Sequence, residues 1–189
     1  MIFVRIAAVA LLAASLAGCA MNVAAPQASF DGIQAVRAAD LPPMTLGSFV
    51  PGGSVSASDD RSTTVRAINT LDAPGGSFAG FLKDTLAADL KGAGRLDANA
   101  PLTLSGVLTK REVDSTVGTG TASLAADFTL TKGGKTVFDK TLSVSDSWDS
   151  SFLGAVAIPD AVNHFTGLFG KLSLQLLSDP DFKAAAHAP

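Results

Sequence analysis

The sequence predicts an α+β domain in two layers, in which an antiparallel sheet of about four strands carries two helices on one face. Three observations lead to this fold class. Residues alternate between apolar and polar from about 102 to 145, two other stretches repeat apolar residues every three to four positions, and the order is strand, helix, three strands, helix. The sheet and both helices each have one apolar face, so packing them together buries all three faces.

The first strand and the first helix are separated by residues that break regular structure. Residues 44–50 predict a strand that ends at residues 51–53, and residues 63–68 predict a second short strand. Ser77 is placed to cap a helix that runs to Gly92. The apolar face of this helix consists of Phe78, Phe81, Leu82, Leu86 and Leu90.

The next three strands predict a meander whose register depends on its last turn. A two-residue turn at Gly133 and Gly134 puts Phe138 on the polar face, whereas a three-residue loop over 132–134 sets Phe128 opposite Phe138. A one-residue slip exchanges the faces, so we expect the three-residue loop. The expected rows are Leu104 with Phe128, Leu108 with Leu124, Leu124 with Leu142, Ala122 with Val144, and Gly106 with Ala126 and Lys140.

The last helix is predicted to begin at Pro159 and Asp160, because proline suits a first helical turn. Residues 178–180 predict its end, and we expect Phe182 to fold back onto the domain. The buried stripe consists of Val162, Phe165, Phe169, Leu172 and Leu176, with Ala161 and Leu168 beside it.

The N-terminal residues have the layout of a secretory signal. Arg5 precedes an apolar run over residues 6–16, which is shorter than the about 20 residues that span a bilayer. Residues 16–19, Leu-Ala-Gly-Cys, resemble a bacterial lipobox. In such lipoproteins the signal is cut before the cysteine, whose sulfur and new amine are acylated. The resemblance implies that Cys19 is lipidated; the alternative is an ordinary signal peptide with an incidental cysteine.

These observations divide the chain into four parts. We expect a signal peptide at 1–18, a lipid-anchored tether at 19–43, the α+β domain at 44–183 and a disordered tail at 184–189. The tether is rich in Ala, Pro and Ser. Its apolar residues Phe30, Ile33 and Val36 leave open a short helix or strand docked on the domain.

Composition narrows the possible partners. The chain has 14 Lys and Arg against 17 Asp and Glu and no basic cluster, which argues against binding of nucleic acid and against electrostatic binding to a membrane. Contact with a membrane is therefore expected through the lipid on Cys19. Cys19 is the single cysteine, so an internal disulfide is excluded. We expect no cofactor and no metal.

Over about residues 44–183, and in its lipobox, the chain resembles small bacterial envelope lipoproteins of the LptE-like, YajG-like and ABC-transport-auxiliary kind. The features that carry the resemblance are the lipobox, the helix from Ser77 that leads into residues 94–97, the meander, residues 147–154 and the final helix that ends at 177–182. The resemblance implies a non-catalytic partner in outer-membrane assembly or transport. Ala20 follows the cysteine where an Asp would favour the inner membrane, so we expect the periplasmic face of the outer membrane.

Residues with catalytic chemistry are few. His187 lies in the expected tail and His164 beside the apolar stripe of the last helix, where a surface histidine is the simpler interpretation. Asp146 and Asp149 flank Trp148, an arrangement that suits sugar binding or acid–base work but also describes a strand end with solvated acids. The chain has no Gly-x-Ser-x-Gly motif, so a hydrolase is a remote alternative.

The connector before the last helix is the candidate binding surface, because it is unusually apolar for a loop. It suits a protein partner, or directly a lipid, an amphiphile or a glycan; alternatively, it closes one end of the core. Its candidate residues are Trp148, Phe152, Leu153, Val156 and Ile158.

Overall fold

The computed structural model describes residues 23–66 and 69–188. Cys19 and the predicted signal peptide lie outside the described residues. The elements in order are α1 (Phe30–Ala38), β1 (Met44–Pro51), β2 (Ser62–Val65), β3 (Asn69–Asp72), a 3₁₀ turn (Pro74–Gly76), α2 (Phe78–Gly92), β4 (Leu102–Asp114), β5 (Gly118–Lys132), β6 (Lys135–Ser150), α3 (Gly154–Ser178) and α4 (Pro180–His187).

The main sheet has four strands in the order β1-β4-β5-β6, which confirms the α+β class and the strand number. The sheet is mixed rather than antiparallel, because β1 pairs with β4 in parallel. The reason is the connection: α2 crosses from the end of β1 back to the start of β4, and such a crossover returns the chain in the same direction. The predicted short strand forms β2, which pairs with β3 in a separate two-stranded sheet.

The core lies between the main sheet and the helices. Ser77 Oγ accepts a hydrogen bond from the Gly80 amide at 2.9 Å, and α2 buries its whole predicted apolar face. α3 begins at Gly154, earlier than predicted, and Pro159 lies inside it, where the missing amide hydrogen removes one helical hydrogen bond. The fully buried rings that fill the core are Phe78, Phe128, Phe165, Phe169 and Phe182.

The register of the meander differs from the predicted one, although its faces agree. Lys132 pairs with Lys135, so the turn is the two-residue Gly133-Gly134 turn, whose residues have φ of 56° and 80°. A bulge after Leu130 then pairs Leu130 with Phe138. The bulge adds one residue to β6 and returns Phe138 to the core face. The observed pairs are Leu104 with Leu130, Gly106 with Phe128, Leu108 with Ala126, Phe128 with Lys140, Ala126 with Leu142, and Leu124 with Val144.

A second bulge, between Leu108 and Lys110, places a charged residue against the core. Beyond it Arg111 pairs with Leu124, and its guanidinium lies 5.0 Å from the centre of the Phe78 ring. Burial lowers the pKa of Arg111, while Asp59 and Asp60 oppose that effect. Arg111 was not singled out from the sequence, because a bulge changes the alternation of β4 locally.

Both ends of the folded unit extend beyond the predicted 44–183. The helix α1, nine residues within the expected tether of 19–43, packs on α2 and α3, with Val36 fully buried. This docking is the alternative that the apolar residues of that segment left open. At the other end α4 continues to His187 and buries Ala186, so most of the expected disordered tail is helical.

Candidate functional site

The predicted apolar connector is a short junction between β6 and α3. Phe152, Leu153 and Val156 expose 78%, 62% and 55% of their surface, respectively. Val117, in the loop between β4 and β5, is 56% exposed. That loop lies beside the junction, because Gly118 pairs with Ser150 across the sheet. We call Val117, Phe152, Leu153 and Val156 the end patch.

The other two predicted surface residues lie inside. Trp148 is 8% exposed and stacks on His164 with ring centres 4.4 Å apart and planes 3° apart. The indole also lies against Gly120, where a β-carbon would overlap it. Ile158 is partly buried and packs against the core, next to the fully buried Ala157. These two residues therefore close one end of the core, as the simpler interpretation of the connector held.

The backbone of the junction is held by a residue that sequence reasoning did not single out. The guanidinium of Arg66 donates hydrogen bonds to the carbonyl oxygens of Ser151 and Phe152, each at 2.8 Å. Ser151 Oγ accepts a hydrogen bond from the Leu153 amide at 3.1 Å. The backbone that carries Phe152 and Leu153 is thus held by hydrogen bonds.

The two acids beside Trp148 do not act as a pair. Successive residues of a strand point to opposite faces, so Asp146 shares the face of Trp148, whereas Asp149 points the other way and is exposed. Asp146 Oδ2 lies 3.0 Å from His164 Nδ1 and 2.8 Å from Lys171 Nζ. The other ring nitrogen of His164 lies 3.8 Å from Asp160 Oδ1. His164 therefore joins α3 to β6 through Asp146, while Asp160 lies one turn away on α3 itself, and no serine hydroxyl is hydrogen-bonded to His164 among the described residues.

The carboxylate of Asp146 makes the folded state sensitive to acid. The hydrogen bond with His164, and then that with Lys171, lowers the pKa of Asp146 to about 2. A carboxyl with a depressed pKa in the folded state stabilises fully above its unfolded pKa, and this contribution is lost as the pH falls toward 2. We expect the urea midpoints of the parent protein and of Asp146→Asn to differ at pH 5 and to converge at pH 2. A difference that stays constant over this range would contradict the ion-pair explanation.

A buried carboxylate fastens the N-terminal segment to the domain. Asp89 of α2 is 1% exposed and accepts hydrogen bonds from the Ser29 amide at 2.8 Å, the Ser29 hydroxyl at 3.1 Å and the Ser173 hydroxyl at 2.8 Å. Gly32 of α1 lies so close that a β-carbon there would overlap the carboxylate. The sequence placed an acid on the apolar side of α2 without showing its partners, which lie 60 and 84 positions away.

The segment before α1 lies along the helices. Val23 and Gln27 line a surface cavity of about 440 Å³ whose other wall includes Phe81 of α2 and Val162 and Gly170 of α3. On its other side Val23 borders a second cavity with residues 72–75. The described chain therefore starts near the N-terminal half of α3.

No group of three or more His, Cys, Asp or Glu residues within 23–66 and 69–188 is placed to hold a metal ion. No helix in the same residues has the length and apolar character needed to cross a bilayer.

Comparison with solved structures identifies the fold. Protein XCC0632 from Xanthomonas campestris, which carries the family label DUF330, is 14% identical over 86% of this chain and 90% of its own, with a TM-score of 0.55. The two chains share a fold. A minor lipoprotein from Acinetobacter baumannii is 11% identical over 75% of this chain and 94% of its own, with a TM-score of 0.43. Lipoprotein GNA1162 from Neisseria meningitidis is 12% identical over 67% and 99%, with a TM-score of 0.36.

Sequence comparison adds no family. No protein-family model matches the chain, and no curated protein matches it. The likeness to XCC0632 therefore concerns the arrangement of strands and helices, and the function has to be argued from this chain's own residues.

Proposed function

We propose that this protein is a non-catalytic bacterial envelope lipoprotein, fixed by Cys19 to the periplasmic face of the outer membrane. There it acts as an accessory that binds a partner in envelope assembly or transport. The observation that carries the proposal is the lipobox at residues 16–19, which ends in the chain's single cysteine.

The docked N-terminal segment defines how such an anchor would hold the domain. Asp89 binds Ser29, and Val23 lies on the helices, so Cys19 precedes the docked part of the chain by four positions. A fully extended chain covers at most about 3.3–3.6 Å per residue, which limits this link to roughly 14 Å. The domain would therefore stay close to the membrane and within reach of proteins embedded in it.

The arrangement of the titratable groups supports a non-catalytic role. His164 faces Asp146 and Asp160 and is stacked on Trp148, a set of contacts that ties a helix to a strand. A glycan-binding role for Trp148 loses support as well, because His164 and Gly120 both lie against its indole. Direct binding of a lipid remains the second candidate function, because the apolar side chains of the end patch are exposed.

In-cell photo-crosslinking of the full-length protein tests the accessory role. A photoreactive residue is placed on one exposed position of each side: Ser145 on the uncovered sheet face, Lys91 on the helix side and Phe152 in the end patch. We expect at least one position, and not all three, to crosslink an envelope assembly or transport protein. The absence of such a crosslink from every side would contradict the accessory role.

A further inference from the structure

We infer that the end patch rests on the surface of the lipid bilayer that carries the acyl chains of Cys19. The inference rests on the proposed lipidation, and it names the lipid surface as the occupant of a patch whose partner the proposed function leaves open. Three observations lead to it: the four residues lie on neighbouring backbone segments that hydrogen bonds hold together, the described chain starts on the helices toward this end of the domain, and the remaining link is long enough to reach it.

The end patch is formed by two neighbouring turns at one end of the sheet. Ser150 Oγ donates a hydrogen bond to the carbonyl oxygen of Ser115 at 3.2 Å, which holds the β4–β5 loop against the end of β6. Arg66 holds the next two carbonyl groups of the chain. Val117 and Phe152 therefore project from adjacent backbone segments, and Leu153 and Val156 follow at the start of α3.

The N-terminal segment runs toward this end of the domain. Ser29 is bonded to Asp89, which also holds Ser173, in the C-terminal half of α3. Val23 lies six residues earlier and lines one cavity with α3 residues from Val162 to Gly170, and a second cavity with residues 72–75, which precede the first turn of α2. These α3 residues lie 3–11 positions before Ser173, so the segment advances up to roughly 16 Å along α3 toward its N-terminus, at about 1.5 Å per residue.

The residues between Val23 and Cys19 are long enough, when extended, to cover the distance from Val162 to the end patch. Val156 lies six residues before Val162, or roughly 9 Å farther along the helix at about 1.5 Å per residue. Val23 follows Cys19 by four positions, and these four residue steps reach at most roughly 14 Å when extended. Cys19 can therefore lie at the same height along α3 as the end patch. The membrane surface that holds its acyl chains is then next to the patch.

The size and chemistry of the patch favour a lipid surface over a protein. Stable protein interfaces use about 20–30 residues a side, whereas the patch consists of four apolar side chains. A domain already held by acyl chains needs only a small apolar contact to fix its orientation. Arg66 is the cation at the junction, and it is engaged with Ser151 and Phe152, so we expect the contact to depend little on anionic lipid.

The test uses the full lipidated protein in vesicles of phosphatidylethanolamine with a minor share of phosphatidylglycerol. When the Cys19 sulfur is acylated, an introduced cysteine is the sole free thiol, so Phe152→Cys and Val156→Cys can each carry a polarity-sensitive fluorophore. The matched control is Leu96→Cys, an apolar residue that is 38% exposed and bridges to Met44 at the opposite end of the sheet. Lipids with a quencher at a shallow acyl position report contact, since interfacial side chains enter about 5–10 Å.

We expect emission from both patch positions to move to shorter wavelength and to be quenched by these lipids, while the Leu96→Cys control shows neither change. Equal emission at all three positions would overturn the inference. A shift of the patch emission to shorter wavelength in native membranes, without such a shift in vesicles of pure lipid, would also overturn the inference. It would indicate that a protein covers the patch. The parent protein serves as a separate check on the anchor: a thiol that reacts at Cys19 refutes lipidation, whatever the patch does.

Discussion

Cys19→Ser is expected to abolish acylation and to leave the precursor uncut. Serine has no thiol to receive the first lipid, and in the lipoproteins that residues 16–19 resemble, cleavage follows that modification. Because Cys19 is the single cysteine, no other thiol in the chain can replace it. Metabolic labelling with a radioactive or clickable fatty acid measures the effect, and gel mobility shows the uncut signal peptide.

The matched control for this change is Ala20→Ser, which introduces the same hydroxyl one position later. We expect this variant to be labelled and cut as the parent protein is. Fatty-acid label that persists in Cys19→Ser would refute the anchor, and with it the membrane orientation proposed for the end patch. Label that is lost in both variants would show that the region fails to be recognised for a reason other than the thiol.

Asp89→Ala is expected to lower the free energy of unfolding by about 3 kcal/mol, since a buried hydrogen-bonding group left unsatisfied costs about 1–3 kcal/mol and two residues donate to Asp89. The substitution leaves the Ser29 amide and the Ser173 hydroxyl without their partner. We expect the N-terminal segment with α1 to detach first, because Asp89 is the buried group that binds Ser29, just before α1, and the remaining side-chain hydrogen bonds of the segment, such as that from Arg37 to the Gly92 carbonyl, are exposed. Urea unfolding measures the loss of stability, and limited proteolysis shows the release of residues 23–40.

Asp84→Ala is the control for this change, because Asp84 lies on the same helix and is exposed. A surface substitution of this kind usually changes stability by less than about 0.5 kcal/mol. Equal urea midpoints for the two variants would show that the buried carboxylate is not needed for stability. Rapid cleavage of 23–40 in the parent protein would show that the segment is not held.

Features that depend on residues close together in the sequence were predicted, whereas features that depend on distant residues were not. The cap at Ser77 and the apolar faces of α2 and α3 were predicted because they depend on residues a few positions apart. The register of β5 and β6 was not predicted. The two-residue glycine turn and the apolar pattern favour pairings that differ by one residue, and a bulge in β6 accommodates both. The parallel pairing of β1 depended on where a whole crossover packed, which no local pattern records.

The same distinction holds for the candidate site. The sequence by itself determined that the junction before α3 is apolar and that a single cysteine ends a lipobox-like stretch. Only the tertiary structure decided that Trp148 is covered by His164 while Phe152, Leu153 and Val156 remain exposed. The division arises because a strand turns alternate residues to opposite faces and α3 begins at Gly154, so neighbours in the sequence meet different surroundings. Burial of this kind depends on what the rest of the chain packs against, and that is a property of the whole fold.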